Sequence, residues 1–206
     1  MLHDRKVFFQ KAKPLFGSYN QLQVDGLEAI LSALEKEPFN EQENAYCLAT
    51  AYHESAATMQ PVRETLANTD EQAAARLEAS WKAGKLPWVK TPYWRRDANG
   101  QYWFGRGIVQ ITFKANYARL SPYVGVDLVK NPELALEDDV AIKIMIEGMR
   151  LGLFTGKSLD TYIDNLDESD AEDYKEYVMA RRIINGTDRA DRVAKAALVF
   201  ERALKG

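Results

Sequence analysis

Cysteine and histidine are scarce in this chain, and their scarcity excludes several chemistries at once. One cysteine, Cys47, among 206 residues cannot form an intrachain disulfide framework. Its place among apolar residues predicts a small core side chain. The two histidines are His3 and His53, and the His53-Glu54 pair lacks the second histidine of a zinc-binding helix, so no metal and no cofactor is expected. Gly105-Arg106-Gly107 is too short for a phosphate or dinucleotide loop, and no G-x-S-x-G nucleophile elbow occurs. A large charge of one sign is also missing. The formal net charge of −3 predicts no nucleic-acid partner. Long apolar runs are absent too: the stretch 1–18 lacks the uninterrupted core of a signal peptide, and no later run approaches bilayer length. The expectation is a monomer made in the cytoplasm, with no stable membrane association.

What is present supports a core. At 46% hydrophobic, the chain predicts a single domain over 1–206, although two lobes within it also fit. The central stretch is 40–65, NEQENAYCLATAYHESAATMQPVRET. Asn40 with Glu43 three residues later is a capping-box pattern. Ala45, Leu48, Ala49 and Tyr52 recur at helical spacing and carry the chain to His53 and Glu54. Short side chains and Pro61 then end the helix. A glutamate at such an end is held by a rigid element and faces open space. Against aromatic neighbours it would keep its proton near neutral pH, as a general acid must.

Around this stretch, 21–37 is a packing helix stopped by Pro38. Thr69 with Gln72 suggests a second capping box, opening a helix that ends near Gly84. Asn99-Gly100 between YWRR and QYWF predicts a hairpin, and hence a small antiparallel sheet over roughly 93–112. Short helical spans are expected at 114–120, 137–151 and from Ser158, with an acidic loop or helix start around Asp167 to Asp173. A helix over 174–184 ends at Asn185-Gly186, and Asp188 caps the last one. The acidic stretch 160–176 and the basic end 181–205 read as solvated faces; the basic end could also touch an anionic envelope polymer.

Two carboxylates ten positions apart across a helix end could face each other across a groove, as glycoside hydrolysis needs. Inversion takes one acid to protonate the leaving oxygen and one base to activate water, with the groups about 6.5 to 9.5 Å apart, whereas a retaining pair stands about 5 to 5.5 Å apart, and sequence spacing does not choose between them. Glu54 and Glu64 are the candidates; Asp70 and Glu71 are rivals for the second role but suit a helix first turn better. Gln110 and Thr112, alternating with Ile111 along an expected strand, would share one face and offer amide and hydroxyl groups to sugar or water, with Asn116 joining them. His53 is a substrate-binding candidate beside Glu54. Trp103, with Trp81, Trp88 and Trp94, could stack on pyranose rings.

Three separated segments, AYHESAAT, YWFGRGIVQITFKANY (102–117) and RRIING (181–186), together resemble the family 19 glycoside hydrolases, which include plant-type chitinases and many phage endolysins. The resemblance implies a mainly α, lysozyme-like α+β fold: a helical bundle with a small antiparallel sheet beside the cleft. It implies an inverting, metal-free mechanism in which Glu54 matches the general acid and Glu64 falls where the second acid lies. It places Gln110, Thr112 and Asn116 on the cleft, and Arg181 and Asn185 in a C-terminal motif lining the groove. Without disulfide cysteines or a secretory signal, the chain resembles the phage branch more than the plant chitinases. The expected substrate is therefore the glycan strand of peptidoglycan. The expected role is an endolysin or virion-associated muramidase without a separate wall-binding module, released to the periplasm through a holin. A chitinase, a lytic transglycosylase and a non-catalytic glycan-binding virion protein are the alternatives.

Overall fold

A computed structural model of the protein describes residues 4–164, 166 and 169–206. It is mainly helical. Among the described residues, eight α-helices run Arg5–Phe16 (α1), Gln21–Leu34 (α2), Glu41–Glu54 (α3), Asp70–Lys82 (α4), Lys114–Val124 (α5), Asp138–Arg150 (α6), Asp170–Ala180 (α7) and Ala190–Lys205 (α8). Two antiparallel strands, Val62–Arg63 (β1) and Arg106–Gly107 (β2), form the sheet among the described residues, pairing Val62 with Gly107 and Arg63 with Arg106.

The centre of the bundle is α3. Its capping box is formed as the spacing predicts: Glu43 N–H donates to Asn40 Oδ1 at 2.8 Å, and Asn40 N–H donates to Glu43 Oε2 at 3.1 Å. A cap of this kind is worth about 1 kcal/mol. Every residue from Gln42 to Ala51 is buried, so the helix is enclosed on all sides rather than on the one expected stripe. It packs most extensively on α8, which also meets α1 and α7. Enclosure brings polar groups inside, and these find partners. Gln42 Nε2, for example, donates to the buried Asp173 of α7 at 2.7 Å. Each fully buried side chain the size of Leu48 contributes about 1.5–3 kcal/mol, so the helix carrying Glu54 is firmly held in the core.

A second, smaller cluster gathers Ala67, Ala73, Leu77, Trp94 and Phe104, with Trp81 and Tyr93 packed on it. It joins α4 to the aromatic segment before β2. Arg106 connects the two parts: its guanidinium is buried, ion-paired to Asp70 at the start of α4, bonded from Nη1 to Tyr102 O (3.0 Å) and Tyr117 Oη (3.1 Å), and lies over the Phe104 ring at 4.2 Å. Gly107 follows at φ +87°, with the Ala135 carbonyl 2.8 Å from where a Cβ would stand.

Several expectations are corrected. The hairpin at Asn99-Gly100 does not form. Asp97 instead closes a compact turn, accepting from the N–H groups of Asn99 and Gln101, because the flanking segments spend their side chains elsewhere: Trp94 inside the smaller cluster, Arg95 on Glu78 and Arg96 on Glu71. The strand partner of β2 is the segment after Pro61. Thr69 caps α4 through Gln72 N–H, but the Gln72 amide turns to Asn68, so that box is half made. Pro122 lies within α5, which ends at Gly125. Asp188 does not cap α8; Arg189, at φ +54°, precedes it. The helix expected over 174–184 begins at Asp170 and becomes a 3-10 turn at Arg181–Ile183. Asp167, the start of the expected acidic stretch, lies outside the described residues. Helix α1 has no counterpart among the expected elements, since Pro14 and scattered charges blur its period.

Candidate active site

Glu54 is the last residue of α3 and lies 17% exposed beside Arg181, itself 3% exposed. Arg181 Nη1 donates to Glu54 Oε1 at 2.6 Å, and Arg181 Nε donates to the Asp188 carbonyl at 2.9 Å. Where aromatic neighbours are expected for Glu54, its hydrogen-bonded partner is this guanidinium. Glu54 Oε2 has no hydrogen-bond partner among the described residues. His53 is half-buried; burial, with the Arg181 and Arg189 cations and against the pull of Glu54, holds its imidazole below the usual histidine range.

The chain leaves α3 through a tight, strained loop. Ala56, Ala57 and Met59 all have positive φ, conformations each costing of order 1 kcal/mol or more. Helix α2 and Ser55 hold them in place. Ser55 Oγ, buried, accepts from Met59 N–H at 3.0 Å, Gln23 Nε2 donates to Ala57 O at 2.9 Å, and Gln60 Nε2 donates to Leu22 O at 2.7 Å. Gly26 permits the contact: a Cβ there would stand 2.1 Å from Met59 O. This fixes the direction in which β1, and Glu64 after it, leave the bundle.

Glu64 follows β1 directly. Its Oε1 accepts from Tyr93 Oη at 2.6 Å and its Oε2 from Gly105 N–H at 2.8 Å, so both oxygens are held. Burial and this carboxylate push the Tyr93 phenol well above its usual range. Phe113, exposed and at φ +70°, stands edge-on to Tyr93 with centroids 5.2 Å apart. An open ring edge and face therefore lie near the second carboxylate.

Gln110, Thr112 and Asn116 do converge, although not along a strand. Gln110 has φ +53°, and its amide donates to Val62 O at 2.7 Å and Gly107 O at 2.8 Å, tying β1 to the loop after β2. Thr112 Oγ1 donates to Gln110 O at 3.0 Å, and Asn116 Nδ2 donates to Thr112 O at 2.7 Å. Glu64, Gly105, Gln110, Thr112 and Asn116 thus form one hydrogen-bonded and packed series. Glu54, His53 and Arg181 form another. Asn185 is exposed, its backbone N–H on Arg181 O at 3.0 Å. Trp103 is not a free platform: it is 6% exposed, stacks edge-on against Tyr117 and donates its indole N–H to Asp97 at 3.0 Å.

Two residues of this geometry are missing from the candidates that the sequence offers. Tyr93 is one aromatic among many there, and nothing local marks its hydroxyl as the partner of Glu64. Arg106 does carry a signal: a cation in an otherwise apolar GRGIVQI run is placed to be buried and paired.

Residues 83–147 match the family model described as class I chitinase, the model of glycoside hydrolase family 19. That segment holds Gln110 and Thr112 on the loop after β2 and Asn116 in the first turn of α5. Over that segment the chain is similar to the family 19 glycoside hydrolases. Two curated relatives match over 43 residues each: a basic endochitinase from Vitis vinifera at 44% identity and endochitinase A2 from Pisum sativum at 42%. Each match covers 21% of this chain and only 14% and 13%, respectively, of those proteins. Among solved structures, chitinase C from Streptomyces griseus HUT6037 superposes with a TM-score of 0.57 at 18% identity, covering 95% of this chain and 75% of that one. A glutamate-to-glutamine mutant of chitinase C gives 0.56 at 19%, covering 95% and 91%. At these identities the likeness to family 19 structures is one of fold.

Proposed function

We propose that this chain hydrolyses β-1,4-linked glycans containing N-acetylglucosamine by a single displacement, with Glu54 as general acid and Glu64 as general base. The observation that carries the reading is the contrast between the two carboxylates. Glu54 keeps Oε1 on Arg181 and leaves Oε2 without a described protein partner, whereas Glu64 has both oxygens held by donors. A proton on Glu54 Oε2 passes to the glycosidic oxygen as the anomeric carbon–oxygen bond breaks. The carboxylate left behind is neutralised by Arg181 without any movement of the guanidinium. Glu64, which binds two donors as an anion would, retains lone pairs for a water and takes its proton as the water oxygen bonds to the opposite face of the sugar. The product carries the inverted configuration. Proton exchange with solvent restores both groups.

Gln110, through its bonds to Val62 and Gly107, fixes the sheet on which Glu64 stands, so its first role is positioning. Thr112 and Asn116 extend the same series toward the surface, where their remaining polar capacity suits sugar hydroxyls.

The names of the relatives favour a chitin-type backbone. A second reading, a phage-type lysin acting on the glycan of peptidoglycan after release to the cell wall, is supported by a basic groove beside His53. Digestion of chitin oligomers and of purified peptidoglycan, with mass spectrometry of the fragments, tests both. Hydrolytic reducing ends from either substrate support the mechanism. Anhydro-muramyl ends would replace it with a one-acid transglycosylase, and no fragments from either substrate with folded protein would make the chain a binding protein.

A further inference from the structure

A groove of about 630 Å³ opens where the ends of α1 and α3 meet the first turns of α8. Tyr52 and His53 line it, and its α8 side presents Arg189, Arg192 and Lys195. No carboxylate is among its described lining residues, on a chain whose net charge is −3. Concentration of cations there is therefore local. The nearby acids only partly answer them. Asp191 pairs with Lys195 at 2.9 Å and also accepts from Tyr174, and Asp188 lies 3.8 Å from Arg189 Nε. Arg192 has no ion pair among the described residues.

The groove adjoins the proposed acid. His53 in its wall precedes Glu54, and Arg181, the partner of Glu54, is bonded to the carbonyl of Asp188, the residue before Arg189. The cationic recess is thus tied to the proposed acid by His53 and by the Arg181 bonds to Glu54 and to the Asp188 carbonyl. Neutral chitin has nothing to place there. The peptide carried on alternate sugars of peptidoglycan has carboxylates.

We propose that this groove receives the carboxylate-bearing peptide of a peptidoglycan strand and makes the enzyme select acidic strands over neutral ones, with Arg189 and Arg192 as specificity-determining residues. The inference rests on the hydrolase reading of Glu54 and names its substrate class. Exposed charge contacts are individually weak and screened by salt, so the selectivity depends on several acting together.

The test compares the wild-type chain with the double variant R189Q/R192Q on three substrates: peptide-bearing peptidoglycan, the same strands stripped of peptide by an amidase, and chitin oligomers. Binding of a fluorescent muramyl peptide is measured in parallel. The expected result is a five- to tenfold rise in KM on peptide-bearing strands at low salt, with a loss at least fivefold smaller on stripped strands, and a matching loss of muramyl-peptide binding that high salt reproduces in the wild type. Equal losses on peptide-bearing and stripped strands, or no loss on either, would overturn the proposal. Should the wild type cut none of the three, the hydrolase reading fails, and the binding arm still decides the groove: arginine-dependent capture of the muramyl peptide supports it, and no capture overturns it.

Discussion

Arg181 Nη1 stands 2.6 Å from Glu54 Oε1, joining a 3-10 turn near the C-terminus to the end of the central helix. Both partners are largely buried, so each is held by the other, and the arginine also by the Asp188 carbonyl. An arginine so placed acts on the carboxylate left after proton donation. Replacing it by lysine loses the planar fork that spans both Glu54 and the Asp188 carbonyl. Arg181→Lys is expected to lower kcat about 10²-fold with little change in KM. Circular dichroism and steady-state kinetics check this together; a variant that lowers only Tm would show a purely structural arginine.

Tyr93 reaches Glu64 from a segment that sequence patterning assigns to a hairpin. Its hydroxyl donates to Oε1 at 2.6 Å. Removing it loses one of the two donors that orient the carboxylate. Tyr93→Phe should therefore reduce kcat roughly 10-fold, about 1.4 kcal/mol. Unchanged turnover would separate Tyr93 from the base.

Gly26 lies against the loop between the two carboxylates. With Met59 O only 2.1 Å from where a Cβ would stand, Gly26→Ala forces backbone apart from backbone. A loss of about 2–3 kcal/mol in stability is expected from such overpacking, read by urea denaturation. The accompanying loss of activity should exceed that of an equally destabilising substitution in α6, because the displaced loop leads to Glu64.

Asp173 is buried among Gln42, Glu201 and Tyr177. Burial first, and the Glu201 carboxylate second, push it up to about 6, with Lys205 and Gln42 opposing. Folded, it holds a proton that the unfolded chain releases near the ordinary value of 3.8. The folded state thus binds more protons between about pH 4 and 6, and this contribution to stability falls as pH rises through that window. Asp173→Asn should flatten the fall and raise stability at pH 7–8 by about 1–2 kcal/mol, measured by denaturant titration across pH 4–8.

The parts of this protein legible in its sequence are those fixed by short-range chemistry. Asn40 with Glu43 marks the start of α3, and the periodicity after it leads to Glu54. What is not legible depends on pairings between distant segments. A turn signal at Asn99-Gly100 says nothing of a pairing between β2 and Val62–Arg63, and that turn closes on Asp97 instead. Strand alternation places Gln110 and Thr112 together, yet they meet because a positive φ at Gln110 turns its amide onto Val62 and Gly107. The family likeness supplies Arg181, which no local pattern joins to Glu54. Trp103 shows the reverse: an aromatic in a cleft motif is as well suited to a core, and its indole goes to Asp97.

The most direct test of the account is turnover by Glu54→Gln on whichever glycan the wild type cuts, with folding checked by circular dichroism and denaturation. Glutamine keeps the shape and an acceptor for Arg181 but has no proton to give. The account predicts a well-folded variant whose kcat falls by at least about 10³-fold with KM within a few-fold of wild type. A folded Glu54→Gln protein with near wild-type turnover would contradict it.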